Sequence, residues 1–355
     1  MSFPDTLTTF DADDFEQLTV VRDPESGIRS AVAIHDTTMG PSLGGVRMRA
    51  YPSLDDAVRD AMALARAMTY KSALAGLELG GGKSVIDAEP TPANKAAFLP
   101  VYARHVASLG GRYVPGADMG TDASDMEVLA KDVPVVSSRR DPSPFTARGV
   151  LRAIGATLER AGHDGLAGRR VAVQGLGKVG SSLAGMLRAA GAEVLVADVD
   201  DDRVRAARDT AGAVAVPVGE ILAADVDVLC PCAAGGVLTP VVLDALRARA
   251  IVPGANNPLA DPALAVTLAG RGVDYVPDFV ANAGGVIVCE AEVLGGGPGL
   301  DDEIAGKIRA IGATAVRILD DADRRGTDTV TVAHELARAR LAARAAARPA
   351  FPALV

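Results

Sequence analysis

Lys71 and Lys83 stand twelve residues apart in MTYKSALAGLELGGGKSVI (residues 68–86), a glycine-rich stretch whose only other charge is Glu78. Only six of the chain's 36 basic residues are lysine. Elsewhere positive charge is supplied by arginine, which stays protonated in proteins. A desolvated lysine can drop its pKa by several units and exchange a proton near neutral pH. The pair therefore points to proton-transfer chemistry, against the plainer alternative of two surface lysines flanking a loop. Asp118, in RYVPGADMGTDASDME, lies between Gly116 and Gly120, where a carboxylate can be aimed into a cleft; its alternative is a helix cap or loop carboxylate. Asp125 and Glu127 read as ordinary first-turn helix residues.

A second constellation follows the run VAVQ. Gly175-x-Gly177-x-x-Gly180, the GLGKVG that includes Lys178 and Val179, is followed by an amphipathic helix and by VLVAD ending at Asp198. The first glycine permits the tight turn, the second lets a pyrophosphate approach the backbone, and the third lets helix and strand pack closely. Free N–H groups at the helix start then favour the phosphates. Asp198, 18 residues after Gly180, is placed to bind both ribose hydroxyls of NAD and to repel a 2′-phosphate, with Arg203 and Arg205 nearby as cations that favour NADP. Three later strand ends run into small or amide-bearing loops: CAAGG (Cys232, Ala233), GANN (Asn256) and NAGG (Asn282). Ligands bind at such carboxyl ends, so these are candidate contacts to nicotinamide or substrate, with turn formation as the alternative.

The elements that must position these groups follow from periodicity. Strands are expected over residues 16–22 and 28–35, joined by DPESG, and GPSLGGVRMRAY follows with Gly44 and Gly45 marking a close approach or a bulge. Apolar spacing predicts a helix over residues 54–68 leading directly into Lys71. The glycine run 80–82 is expected to break regular structure, placing Lys83 at the start of a short strand over 84–86. Helices are expected over 94–109 and 146–161, the latter after the Pro-rich boundary SSRRDPSPFTARG. Beyond VLVAD a helix (202–211) and strands near 214, 227–232, 250–253 and 274–280 complete a doubly wound sheet. Two helices close the chain, over 301–321 and 330–346.

Length and composition agree. At 355 residues the chain exceeds one ordinary core, and 49% hydrophobic residues suffice for two domains. A net charge of −9 without a basic patch argues against nucleic acid and for small molecules. No signal-like segment or span of roughly 20 apolar residues is present, so the expected compartment is the cytoplasm. Cys230 and Cys232, spaced C-x-C, and the distant Cys289 read as small buried residues, and four scattered histidines indicate no metal site.

In order, GPSLGGVRMRAY, MTYKSALAGLELGGGKSVI, GRYVPGADMGT, DPSPFTARGV, VQGLGKVG, PCAAGG, GANNPLAD and PDFVANAGGVI resemble the glutamate, leucine, phenylalanine and valine dehydrogenase family, most closely its leucine, phenylalanine and valine branch. The resemblance covers residues 15–340. It implies an α/β fold of two domains: an N-terminal substrate and oligomerisation domain (residues 1–140), with the last helix (328–348) packing back on it, and a Rossmann-type doubly wound NAD-binding domain (141–327). It implies reversible NAD-dependent oxidative deamination of an L-amino acid to a 2-oxo acid and ammonia, by a homo-oligomer. Lys71, helped by backbone at Gly44 and Gly45, would bind the substrate carboxylate; Lys83 would activate water and Asp118 would handle the amine. Whether a neighbouring Lys71 lowers the Lys83 pKa more than Asp118 raises it is left open. Leu43, Val286 and Cys289 suggest an apolar side-chain pocket and hence a branched-chain or aromatic substrate.

This chain departs from the family pattern at a shortened loop between Pro134 and Asp141, at Glu78 for Asp, at Pro258 for Gln, and in VIVCEAEVL, which sets Cys289 and Glu290 beside the expected pocket. A glutamate-type enzyme would want a cation where Leu43 and Cys289 stand. A non-catalytic NAD-binding regulator would have no need of Lys71, Lys83 and Asp118 together. A 2-hydroxy-acid dehydrogenase would want a histidine acid/base.

Overall fold

The computed structural model describes residues 3–12, 14–133, 140–295 and 299–347. The chain forms two compact units, one of Met1–Arg140, Cys289–Pro298 and Ala337–Val355, the other of Asp141–Val288 and Gly299–Leu336. The shortened segment after Pro134 lies, apart from Arg140, outside the described residues.

The first unit begins with α1 (Phe3–Ala12), β1 (Gln17–Arg22), β2 (Arg29–Asp36) and β3 (Ser42–Arg49), then α2 (Leu54–Ala75) and β4 (Gly80–Asp87). It continues through α3 (Pro92–Ala107), β5 (Tyr113–Ala117) and α4 (Ala123–Leu129). Its sheet has the order β1-β2-β4-β3-β5, with β4 central, antiparallel to β2 and parallel to β3. Strand alternation divides the core between two faces. Ala31, Ala33 and Val85 pack with Ala57, Val58, Ala61 and Ala65 of α2. Val32, Ile34 and Ile86 pack with Leu99, Tyr102 and Val106 of α3 and Met126 and Leu129 of α4.

Two sequence expectations change here. Helix α2 does not stop at residue 68; it runs through Lys71 to Ala75 and ends at left-handed Gly76 (φ 70°), whose N–H bonds to the Ala73 carbonyl. Gly80–Gly82 do not interrupt regular structure but are the first three residues of β4. The reason is the closeness of the neighbours: a Cβ on Gly81 would lie 2.1 Å from the Thr69 nitrogen of α2, and one on Gly80 2.0 Å from the Asp36 carbonyl oxygen. Glycine here brings a helix onto a strand.

The second unit contains α5 (Ser143–Arg160), β6 (Arg170–Gln174), α6 (Lys178–Ala189), β7 (Glu193–Ala197), α7 (Asp201–Ala211) and β8 (Val214–Ala215). There follow β9 (Val228–Pro231), α8 (Pro240–Ala245), β10 (Ala250–Ile251), α9 (Leu264–Gly270) and β11 (Asp274–Tyr275). The remaining helices are α10 (Asp278–Ala281), α11 (Gly284–Val293), α12 (Leu300–Arg325) and α13 (Thr329–Ala347). The six-stranded sheet has the order β11-β10-β9-β6-β7-β8 and all its pairings are parallel, so the order reverses between β6 and β9, where ligands bind in such sheets. The strand expected over 274–280 ends at Tyr275, because Pro277 offers no ladder donor and Asp278 starts a helical turn. NAGG is likewise no open loop: Asn282 caps α10 and Gly284 begins α11, packed so closely on α5 that a Cβ would lie 1.9 Å from the Phe145 carbonyl oxygen. Among the described residues no helix is long and apolar enough to cross a membrane.

Candidate active site

Lys83 is the fourth residue of β4, fixed at the centre of the sheet and only 6% exposed. Its Nζ lies 2.7 Å from Asp118 Oδ2, just beyond the end of β5. The Asp118 loop is pinned: its N–H donates to Thr121 Oγ1 (2.9 Å), which donates in turn to the Val46 carbonyl (2.7 Å). Gly120 (φ 80°) lets this turn close against Met48, whose carbonyl oxygen would be 1.9 Å from a Cβ. On the neighbouring strand, a Cβ on Gly45 would stand 2.6 Å from Asp118 Cβ and 2.9 Å from Lys83 Nζ. Gly45 thus leaves the space in which the ion pair forms. Gly44 is glycine for another reason, because a Cβ would lie 1.8 Å from the Gly82 carbonyl oxygen of β4. The Gly44 carbonyl accepts from Tyr113 Oη (2.7 Å), one end of a buried hydroxyl chain through Ser84 to Tyr102.

Burial pushes the Lys83 pKa down; Asp118 opposes this, Arg47 adds to it, and the balance is below the ordinary lysine value. Burial also pushes the Asp118 carboxyl up, but Lys83 and Arg47 outweigh it and hold it below its usual range. A lysine with a lowered pKa beside a fixed carboxylate can give and take protons.

Arg47 and Asp60 are the residues that sequence reasoning missed. Arg47 Nε lies 3.0 Å from Asp118 Oδ2 and its second arm 3.0 Å from Asp60 Oδ2 on α2; Tyr51 Oη donates to that same Asp60 oxygen (2.6 Å). Alternation along GGVRMRAY would have found Arg47, which is two residues beyond Gly45 and so on the same strand face.

The other expected substrate residues are distributed as follows. Lys71 is half-buried on α2, two residues beyond the Thr69 that packs on Gly81. Leu43 is buried in β3, next to Gly44. Cys289 is half-buried in the first unit and Val286 half-buried in the second. Glu290, 1% exposed, accepts a hydrogen bond from the Glu78 N–H, just ahead of β4.

In the second unit each glycine of GLGKVG has its own requirement. Gly175 (φ 96°) runs against Ala233, whose Cβ would be 2.6 Å from an added one, and Gly180 brings α6 within 1.9 Å of the Gly175 carbonyl oxygen by the same measure. A Cβ on Gly177 meets nothing within 4 Å, and no side chain caps α6 there. The helix start is therefore an open cradle of N–H donors that fits a dinucleotide pyrophosphate. Lys178 is the first residue of α6, its ammonium exposed and 3.5 Å from Asp141, so only its backbone lies in the cradle. Val179 packs toward Gly254 (3.3 Å to a Cβ built there). Cys232 fills the floor beside Gly254 and Gly180, and burial raises its thiol to about 12, making it packing rather than a nucleophile.

Asp198 accepts from the N–H groups of Leu176 (2.5 Å) and Asp200 (2.9 Å), tying β7 to the glycine loop; Arg203 is 3.9 Å away. Burial pushes the Asp198 carboxyl up, but these backbone donors hold it below the usual range. Asn282 Nδ2 donates to Asn256 Oδ1 (2.8 Å), while its own Oδ1 is buried without a hydrogen-bond partner among the described residues, an acceptor suited to a carboxamide N–H.

Comparison with known proteins gives a consistent result. Residues 16–134 match the model of the Glu/Leu/Phe/Val dehydrogenase dimerisation domain, and residues 196–348 that of glutamate/leucine/phenylalanine/valine dehydrogenase. Leucine dehydrogenase of Bacillus cereus is 37% identical over 337 residues, covering 93% of this chain and 91% of its own. Valine dehydrogenase of Streptomyces albus is 38% identical over 349 residues and 95% of each chain. The crystal structure of L-tryptophan dehydrogenase from Nostoc punctiforme superposes with a TM-score of 0.86 at 34% identity, over 95% of this chain and 99% of that one. With matches of this extent on both units, the chain belongs to the glutamate/leucine/phenylalanine/valine dehydrogenase family.

Proposed function

We propose that this protein catalyses the reversible NAD-dependent oxidative deamination of an apolar L-amino acid, branched-chain or aromatic, to the 2-oxo acid and ammonia. The observation that carries the reading is the buried Lys83–Asp118 pair in the space left by Gly45. Lys71 holds the substrate carboxylate as a permanent charge. Asp118 takes a proton from the substrate amine as the imine forms. Neutral Lys83 takes a proton from the water that attacks the imino carbon and passes it to solvent; Asp118 then returns its proton to the amine, and as ammonia departs Lys83 takes the carbinolamine hydroxyl proton, leaving the 2-oxo acid. The N–H groups at Gly175–Gly180 would hold the pyrophosphate of NAD, which would supply the acceptor for the hydride that leaves Cα.

Asp198 favours NAD over NADP, since a buried carboxylate at the ribose end repels a 2′-phosphate. Apolar Leu43 and Cys289, with Val286, favour an apolar substrate side chain over a carboxylate. Dimerisation-domain similarity supports a homo-oligomer, and three cysteines that form no disulfide suit the cytoplasm.

The test is NADH formation from a panel of L-amino acids with wild type and Lys83→Ala. Turnover is expected with apolar substrates, falling about 10²- to 10⁴-fold in the variant. Deamination should rise with pH as Lys83 loses its proton, and amination, which needs it protonated, should fall over the same range. No turnover with any amino acid would refute the activity. Turnover surviving Lys83→Ala would refute the base.

A further inference from the structure

Asp118 shares one oxygen between two cations. Lys83 Nζ (2.7 Å) and Arg47 Nε (3.0 Å) both meet Oδ2, and the Met119 N–H donates to the same carboxylate. Arg47 is held at its other end by Asp60 on α2, and Asp60 by the Tyr51 hydroxyl. The chain Tyr51–Asp60–Arg47–Asp118–Lys83 thus joins the residues after β3, helix α2, β3 itself, the loop after β5 and β4. The side chains of Arg47, Asp60 and Asp118 are each about a quarter exposed or less (17%, 28% and 26%), enough shielding for charge to act at short range. A planar guanidinium can span two carboxylates in a fixed geometry, which an ammonium cannot.

We propose that Arg47 is a positioning residue for the deamination: anchored on Asp60, it fixes the orientation in which the Asp118 carboxylate meets the substrate amine, and it is the positive charge against which Lys83 releases its proton. This rests on the function proposed above. Without Arg47, Asp118 loses its tie to Asp60, and Lys83 faces a carboxylate whose charge Arg47 no longer shares. Among the described residues, the charged and titratable groups around Lys83 include Asp118, Arg47 and Asp60, with Tyr51 and Arg49 behind Asp60 and the Tyr113 hydroxyl of β5 on the side of Gly45. Lys71 lies three helical turns beyond Asp60 on α2, roughly 16 Å along its axis. Loss of the Arg47 charge therefore strengthens the hold of Asp118 on the Lys83 proton, and the ionisation of Lys83 moves to higher pH.

The test compares wild type, Arg47→Gln and Arg47→Lys by two readouts. The first is the pH dependence of kcat/KM for deamination. The second is NMR titration of protein labelled with [ε-13C]lysine, in which the six lysines of wild type and Arg47→Gln give six signals and Arg47→Lys seven, the one from Lys83 assigned with Lys83→Met. In Arg47→Gln the Lys83 midpoint and the acid limb of the rate profile should both move up by about one pH unit. In Arg47→Lys the charge is retained but the bridge is not, so the midpoint should stay near that of wild type while kcat falls. The five other native lysine signals report whether each variant is folded, the extra signal of Arg47→Lys being set aside, and should Arg47→Gln fail to fold, wild-type kcat in Arg47→Lys would by itself overturn the proposal. An unmoved Lys83 midpoint in folded Arg47→Gln would also overturn it, since a merely structural arginine would lower kcat without moving a titration. If the midpoint moves but no amino acid is turned over, the proposed activity fails and the coupling of Arg47 to Lys83 stands.

Discussion

Gly45→Ala is the most demanding test of the geometry around Lys83. The new Cβ would stand 2.6 Å from Asp118 Cβ and 2.9 Å from Lys83 Nζ. Carbon atoms in contact sit about 3.5–4.0 Å apart, so Asp118 and β3 must separate by about 1 Å. The Asp118 loop has little freedom to retreat, because Thr121 Oγ1 links it to Val46 and Gly120 is already pressed against the Met48 carbonyl. The displacement therefore falls on the 2.7 Å Lys83–Asp118 contact, which stretches beyond hydrogen-bond length. Misplacement of a catalytic group by about 1 Å costs on the order of 100-fold in rate, or ~2.7 kcal/mol of barrier. Steady-state NADH formation should show that loss in kcat, with KM for the amino acid little changed. Gly116→Ala is the control: it is the strand partner of Gly45 on β5, and its added Cβ meets nothing within 4 Å. A Gly45→Ala enzyme within about threefold of wild type, ~0.7 kcal/mol, would refute the claim that this glycine exists to admit the ion pair.

The glycine loop gives a paired prediction. Gly180→Ala must push α6 off the Gly175 carbonyl and should lower stability by about 1–3 kcal/mol in urea unfolding, whereas Gly177→Ala, with φ −66° and open space ahead, should leave stability unchanged and raise KM for NAD about tenfold. Asp198→Ser removes the carboxylate beside Arg203 and should cut the NAD:NADP ratio of kcat/KM by at least about tenfold; an unchanged ratio would mean that another group reads the ribose.

What the sequence revealed and what it hid have physical causes. The Rossmann unit was legible because its rules are local: a strand, three glycines at fixed spacing, a helix and an acid follow one another within about thirty residues. Lys83 was legible because lysine is scarce in an arginine-rich chain. The boundaries that went wrong were set by tertiary contact. Gly80–Gly82 read as a break by propensity, yet they are strand because α2 and Asp36 come too close for any side chain, and the NAGG loop is a helix junction because α5 lies against it. The balance of charges on Lys83 was beyond the sequence for a similar reason. It depends on how deeply β4 is buried and on Arg47, whose partners Asp60 and Asp118 lie 13 and 71 residues away. Arg47 was nonetheless within reach of a simple rule. Once Gly45 is taken to face the site, strand alternation obliges residue 47 to face it too, and an arginine on that face needs a carboxylate. Asp118 was the nearest candidate already named. The missing step was to ask which charged residue shares a face with each glycine singled out, rather than what each glycine does alone.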